Sequence, residues 1–138
     1  MAKFKICTVR DGVVGKEKVF LAVTSLSLDE GETEMIFPES AGGETVTHIA
    51  FEERHYEAEY RDHDWHHPAQ GGDYYPERYE AWPVELDIPE SVTRIRIPKT
   101  VQRVGYLAFR RAKDRSIIEI DPENPYIIMR EDGYICEK

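Results

Sequence analysis

Three stretches of this chain carry one pattern: apolar, proline, polar, Ser or Thr, valine, two polar residues, apolar. In the first, Phe37-Pro38-Glu39-Ser40 is followed, after the insert Ala41–Thr45, by Val46-Thr47-His48-Ile49. In the second, Ile88-Pro89-Glu90-Ser91 runs straight into Val92-Thr93-Arg94-Ile95. In the third, Ile97-Pro98-Lys99-Thr100 runs into Val101-Gln102-Arg103-Val104. The physics of such a unit is narrow. A strand buries alternate aliphatics, and proline ends it because it has no N–H for the ladder. Ser or Thr supports the turn, and the valine re-enters the core. One unit cannot cover its own apolar face, so neighbouring units must stack on it.

Between the second and third copies the polar positions have opposite charge. Glu85 aligns with Arg94, Asp87 with Arg96 and Glu90 with Lys99. Stacked in register, these would form cross-strand pairs worth about 0.2–1 kcal/mol each.

The rest of the chain also reads as mainly β. Lys3–Val9 alternates, Asp11-Gly12 marks a turn, and Lys18–Leu28 is a second β-like run, which together predict a hairpin. Residues 52–62 carry Glu57 and Arg61 at i,i+4 spacing and are expected to form one short helix. Asp64–Pro83 is expected to be an ordered aromatic loop, and loops of that length are often functional. Val84–Ile97 returns to strand patterning, with Leu86, Ile88, Ile95 and Ile97 as the apolar positions. Gly105–Ala112 predicts a helical turn, and Tyr126–Met129 with Tyr134–Cys136 a closing hairpin across Asp132-Gly133.

The motif Ile-Pro-x-Ser/Thr-Val-x-x-Ile/Val, with Gly105, Ala108-Phe109 and then Ile118-Glu119-Ile120, resembles the BspA-like leucine-rich repeats. The tail is similar too, in Asp121–Tyr126 and Asp132-Gly133-Tyr134. The resemblance covers residues 84–138 and, less closely, 35–51. It is absent from 1–34 and 53–83. Several features depart from the family. The second and third copies lie only nine residues apart, where the family repeat is roughly 22–23 residues. The second copy lacks the Ala-Phe arm, and Arg110, Arg111 and Ala112 stand where a Cys or Asn often follows that arm.

The resemblance implies a single domain with a short, irregular leucine-rich-repeat-like solenoid. Residues 1–34 would be an N-terminal β-hairpin or cap, 35–51 and 84–138 the repeat-like β core, and 53–83 a long aromatic and His-rich insertion. A β-sandwich is the alternative fold. Such repeats mostly serve protein or ligand contact, which implies a non-enzymatic binding or scaffolding module.

Charge narrows the partners. The net charge is −9, which disfavours nucleic acid. The charge is also segregated: residues 29–64 sum to −10 and residues 94–115 to +7. Internal compensation is the expected use of that asymmetry. The alternative is an acidic inhibitor that presents residues 29–64 to a basic site. No apolar run reaches the ~18 residues of a membrane helix, and none near the N-terminus looks like a leader. A cytoplasmic location is therefore expected. Cys7 and Cys136 belong to no metal or redox motif and read as buried filler.

Six candidate sites follow. Trp65, Tyr74, Tyr75, Tyr79 and Trp82 are the expected binding residues, with Tyr56 and Tyr60 nearby, because Tyr and Trp anchor interfaces. His63, His66 and His67, with Asp64, could hold zinc, which makes a metal-binding protein or metal-dependent hydrolase the alternative function. The same histidines with Glu57, Glu59 or Asp62 could serve as acid–base groups. Nucleophilic catalysis has no signature here, since Ser40 and Ser91 fit turns better. Gly12–Lys16 lacks P-loop spacing and reads as a hairpin turn. Arg103, Arg110, Arg111, Lys113 and Arg115 form a basic run whose plain reading is an internally paired face. No cofactor is expected apart from the zinc alternative.

Overall fold

The computed structural model describes residues 3–62, 72–112 and 114–138, and only the backbone at 61, 62, 72 and 73. Trp65, His63, His66 and His67 lie outside the described residues, as do Asp64 and Lys113. Among the described residues the chain is mainly β, without an α-helix.

The expected N-terminal hairpin forms from β1 (Lys3–Val13) and β2 (Lys18–Ser27). Its turn lies beyond Asp11-Gly12. The ladder runs on to Asp11 opposite Lys18, and the Lys16 N–H donates to the Val13 carbonyl at 2.8 Å. Gly12, at φ 129°, stays in the strand and pairs with Tyr79.

The first and third copies of the repeated pattern pair with each other along both of their arms. β3 (Glu34–Ile36) lies parallel to β10 (Arg94–Ile97), with Met35 opposite Ile95. β5 (Glu44–Ile49) lies parallel to β11 (Arg103–Val104), with His48 opposite Arg103 and Ile49 opposite Val104. The small strand β4 (Ser40–Ala41) turns back on β5 through the insert of the first copy. β12 (Ile118–Ile120) adds to the other side of β10, so that Ile95 faces Ile118, a step of 23 residues.

The second copy does not stack on the third. A parallel strand needs a connection of about a dozen residues or more to return alongside its neighbour, and nine are too few. The second copy is instead the turn that feeds β10. The Val92 N–H donates to the Pro89 carbonyl at 3.1 Å, and the Ser91 hydroxyl to the Glu32 carbonyl at 2.9 Å. The expected charge pairs are accordingly replaced. Arg94 meets Glu119 at 3.0 Å and Glu34 at 3.8 Å, Lys99 meets Glu123 at 3.9 Å, and Glu85 meets Arg111 at 3.0 Å.

Residues 52–62 form no helix. β6 (Phe51–Tyr56) and β7 (Glu59–Asp62) pair antiparallel with β9 (Arg78–Pro83) and β8 (Gly72–Tyr75). Register holds across the break, with Tyr56 opposite Arg78 and Glu59 opposite Tyr75. A ladder of backbone hydrogen bonds outweighs one i,i+4 pair worth about 0.2–0.5 kcal/mol. The expected aromatic loop is thus partly this ribbon. The ribbon joins the large mixed sheet, in the order β11-β5-β2-β1-β9-β6, through two residue pairs between β9 and the end of β1.

The main core lies between that sheet and the three-stranded sheet β12-β10-β3. Val23, Met35, Phe37, Val46, Ile49, Leu86, Ile95, Ile97, Ile118 and Ile127 are buried in it. The Gly105–Ala112 segment is a run of turns that places Ala108 and Phe109 in this core. A Cβ on Gly105 would come within 2.5 Å of the Ala50 carbonyl oxygen, so only glycine lets these backbones approach. Val9, Ala22 and Phe51 form a second, small core, against which Phe20 and Ala81 pack.

β13 (Ile127–Met129) and β14 (Ile135–Glu137) form the expected closing hairpin. Asn124 is 1 % exposed and ties that hairpin to the third copy. Its side-chain amide donates to the Pro98 and Val101 carbonyls at 3.0 and 2.9 Å. Its carbonyl oxygen accepts from the Tyr126 and Ile127 N–H groups at 2.7 and 3.0 Å.

Candidate functional site

Alternation along β6 and β9 sorts the ribbon's side chains onto two faces. Directly opposed residues of an antiparallel pair share a face. Glu52, Arg54 and Tyr56 therefore lie beside Trp82, Glu80 and Arg78 on one side. Phe51, Glu53 and His55 lie beside Pro83, Ala81 and Tyr79 on the other.

The first face is a lattice of rings, guanidinium groups and carboxylates. The Arg54 guanidinium sits 4.1 Å from the Trp82 ring centroid, and that of Arg78 sits 4.5 Å from the Tyr56 centroid. Arg54 also pairs with Glu52 at 3.2 Å and Arg78 with Glu80 at 3.1 Å. The Trp82 indole N–H donates to Glu80 at 3.2 Å. Each cation is thus both stacked on a ring and neutralised by an acid.

The second face turns partly inward. Phe51 and Ala81 close the small core. Arg10 donates from Nε and Nη2 to the two carboxylate oxygens of Glu53, at 2.8 and 3.0 Å, and lies 3.8 Å from the Tyr79 centroid. This hydrogen bonding holds the Glu53 carboxyl below its ordinary pKa. His55 stacks on Tyr79 at 4.7 Å and pairs with Glu77 at 3.2 Å.

The four expected binding residues that are described, Tyr74, Tyr75, Tyr79 and Trp82, do not form one patch. Trp82 belongs to the outer lattice and Tyr79 to the opposite face, in contact with Arg10 and His55. Tyr74 lies opposite Tyr60, their ring centroids 6.4 Å apart, and is 63 % exposed. Tyr75, its neighbour in the strand, points to the other side, opposite Glu59. Tyr56, Arg54 and Arg78 complete the lattice. Their signal was the alternation Glu52-Arg54-Tyr56, which has strand and not helix period.

A second feature had only a faint sequence signal: His48 fills the second of the two polar positions in the first repeat, where the other two copies carry Arg94 and Arg103. His48 stacks on Phe20 with ring centroids 3.7 Å apart and an interplanar angle of 13°. Phe51 approaches it edge-on at 5.7 Å, and Nδ1 lies 2.7 Å from the Thr47 hydroxyl. Burial and the nearby Arg103 guanidinium push its pKa down to about 4, against a smaller upward pull from Asp11. The ring is therefore neutral at pH 7. It lines a cleft of about 620 Å³ between β2, β5 and β11.

The basic run 103–115 is not one patch. Arg110 and Arg111 both reach Glu85, and Arg115 donates to the Gly133 and Phe109 carbonyls while covering the Tyr134 ring. Among the described residues no three His, Cys, Asp or Glu side chains are grouped to hold a metal ion. Cys7 and Cys136 are free thiols, both half-buried. Among the described residues no helix is long and apolar enough to cross a membrane.

No family model matches the chain, and no curated protein or solved structure matches it.

Proposed function

We propose that the protein is a non-enzymatic binding module that contacts a protein partner through the outer face of the β6–β9 ribbon. The observation that carries this reading is the lattice of Trp82, Tyr56, Arg54 and Arg78. Trp, Tyr and Arg are the residue types that supply interface anchors. Here each ring is preset by a stacked guanidinium, so little side-chain entropy remains to be lost on docking. Each guanidinium is already paired with a carboxylate, so the face carries no uncompensated charge to desolvate. Tyr74 and Tyr60 extend the aromatic surface along the ribbon.

The repeat half is the scaffold in this reading. A short leucine-rich-repeat-like stack is supported by the 23-residue step between Ile95 and Ile118 and by the in-register pairing of the first and third copies. That step matches the repeat length the family resemblance implies.

The test is an affinity measurement. A partner captured from the source lysate is identified, remade, and titrated against the wild type, Trp82→Ala, Arg54→Ala and Tyr79→Phe. Trp82→Ala and Arg54→Ala should each weaken binding about tenfold or more while lowering the melting temperature by no more than about a few degrees, and Tyr79→Phe should stay near wild type. Equal affinity across all four proteins would end this reading.

A further inference from the structure

Acidic side chains outnumber basic ones 27 to 18 in this chain, so an arginine should readily find an acid. Almost all do. Arg10, Arg54, Arg78, Arg94, Arg96, Arg110, Arg111 and Arg130 each have a carboxylate within 4 Å. Arg115 is held by two carbonyls. Among the described side chains Arg103 is the exception. Among the described residues it has no oxygen partner, and its guanidinium lies over the Phe51 ring at 5.5 Å.

This arginine stands where two hollows meet. The cleft of about 620 Å³ and a neighbouring hollow of about 320 Å³ share His48, Gln102 and Arg103 on their walls. That size suits a small molecule. In the larger cleft the walls beside Arg103 are neutral and polar, with Thr45, Thr47, His48 and Gln102, while the smaller hollow adds Glu137 and Lys138. Among the acids at the cleft, Asp11 is set opposite Lys18 in the hairpin ladder, and its carboxylate accepts from the Ala81 N–H at 3.3 Å. Glu44 remains at the rim and disfavours a ligand of high negative charge.

We propose that this cleft binds a small molecule through a single carboxylate or phosphate group seated on Arg103, with Gln102 and Thr47 as neutral partners. A guanidinium offers paired N–H donors in the geometry that such groups accept, which is the chemistry that carboxylates supply to most of the other arginines. The stacked rings of His48 and Phe20 give the ligand's body an aromatic wall.

The experiment adds acetate and inorganic phosphate separately to the full chain at constant ionic strength. Binding is followed through the His48 ring and Gln102 amide resonances. At least one probe should give saturating shifts. Arg103→Gln should weaken that binding tenfold or more, Arg103→Lys should weaken it less, and Lys99→Gln, which removes a positive charge elsewhere, should leave it unchanged. Saturation by acetate alone assigns a carboxylate, and by phosphate alone a phosphate. Shifts that do not saturate with either probe overturn the proposal. So does equal weakening by Arg103→Gln and Lys99→Gln, which would mark diffuse charge.

Discussion

The sheet of β3, β10 and β12 and the ribbon of β6 and β9 alternate side chains with the same period but spend the alternation differently. In the sheet, Met35, Ile95, Ile97 and Ile118 face a sealed core, and the wet face carries ion pairs of Arg94 and Arg96 with Glu119 and of Arg94 with Glu34. In the ribbon only Phe51 and Ala81 reach a core, and it is a small one. Its remaining contacts are guanidinium–ring and guanidinium–carboxylate pairs at half-exposed positions. Apolar burial is worth about 25 cal/mol per Å² and is not weakened by electrostatic screening. Exposed ion pairs are worth about 0–1 kcal/mol each and are screened. Stability should therefore reside in the sheet, with the ribbon contributing less.

Truncating one residue in each region should separate them most widely. Ile95 is fully buried in the central strand, between Met35 and Ile118. Ile95→Ala should cost about 2–5 kcal/mol in urea unfolding, from lost transfer energy and the cavity left behind. Trp82→Ala removes a larger side chain but mainly a cation–π contact, and should cost less than about 1 kcal/mol. Equal losses would mean that the ribbon belongs to the cooperative core, and the contrast would fail.

A polar residue gives the next largest effect, inside the repeat half. Asn124 satisfies two carbonyls and two N–H groups at the junction of the third copy and the closing hairpin. Asn124→Ala leaves all four without their side-chain partner, two of them buried. A loss of about 2–3 kcal/mol is expected, read by thermal and urea unfolding. A loss under about 0.5 kcal/mol would show that the hairpin is an appendage and that the core ends before it.

The two regions also differed in how far the sequence disclosed them. Period-2 patterning named Ile95 and Ile97 as inward residues, and Pro98 as the end of their strand, because local chemistry decides those features. Which copies would pair was a long-range matter. Glu85 and Arg94 matched in charge as well as Arg94 and Glu119 do, and only the length a parallel connection requires separates the two solutions. In the ribbon, Glu57 and Arg61 imitated a helix, while the partner strand that overrides it lies some twenty residues away. The pair Asn124-Pro125 has the composition of a plain turn, and nothing local in the sequence marks Asn124 as a junction because its partners Pro98 and Val101 belong to another unit. Tyr79 and Trp82 stood out in sequence as candidate anchors, but their assignment to opposite faces needed the register. Arg103 was one cation in a basic run until the ion pairs of its neighbours set it apart.

His48, on β5 beside the small core of Phe20 and Phe51, supplies the smallest effect and one that depends on pH. In the unfolded chain it takes up a proton near 6.5, and in the folded chain only near 4, because burial and Arg103 oppose the charge. Between those values the unfolded state binds more protons, so stability falls as pH is lowered from about 6.5 to about 4 and does not change on this account above that range. The full shift, at 1.36 kcal/mol per unit, is reduced by the ring's partial exposure to about 1–2 kcal/mol. Glu53, whose folded pKa is depressed by Arg10, loses its contribution at lower pH, below about 4.5. The two are therefore separable in one titration. Urea midpoints of the wild type and His48→Gln, measured from pH 7.5 to 4.5, should converge as the pH falls, because the variant has no imidazole to charge. Parallel curves would mean that His48 gains its proton without disturbing the Phe20 stack, and would place the ring in solvent instead of in a packed contact.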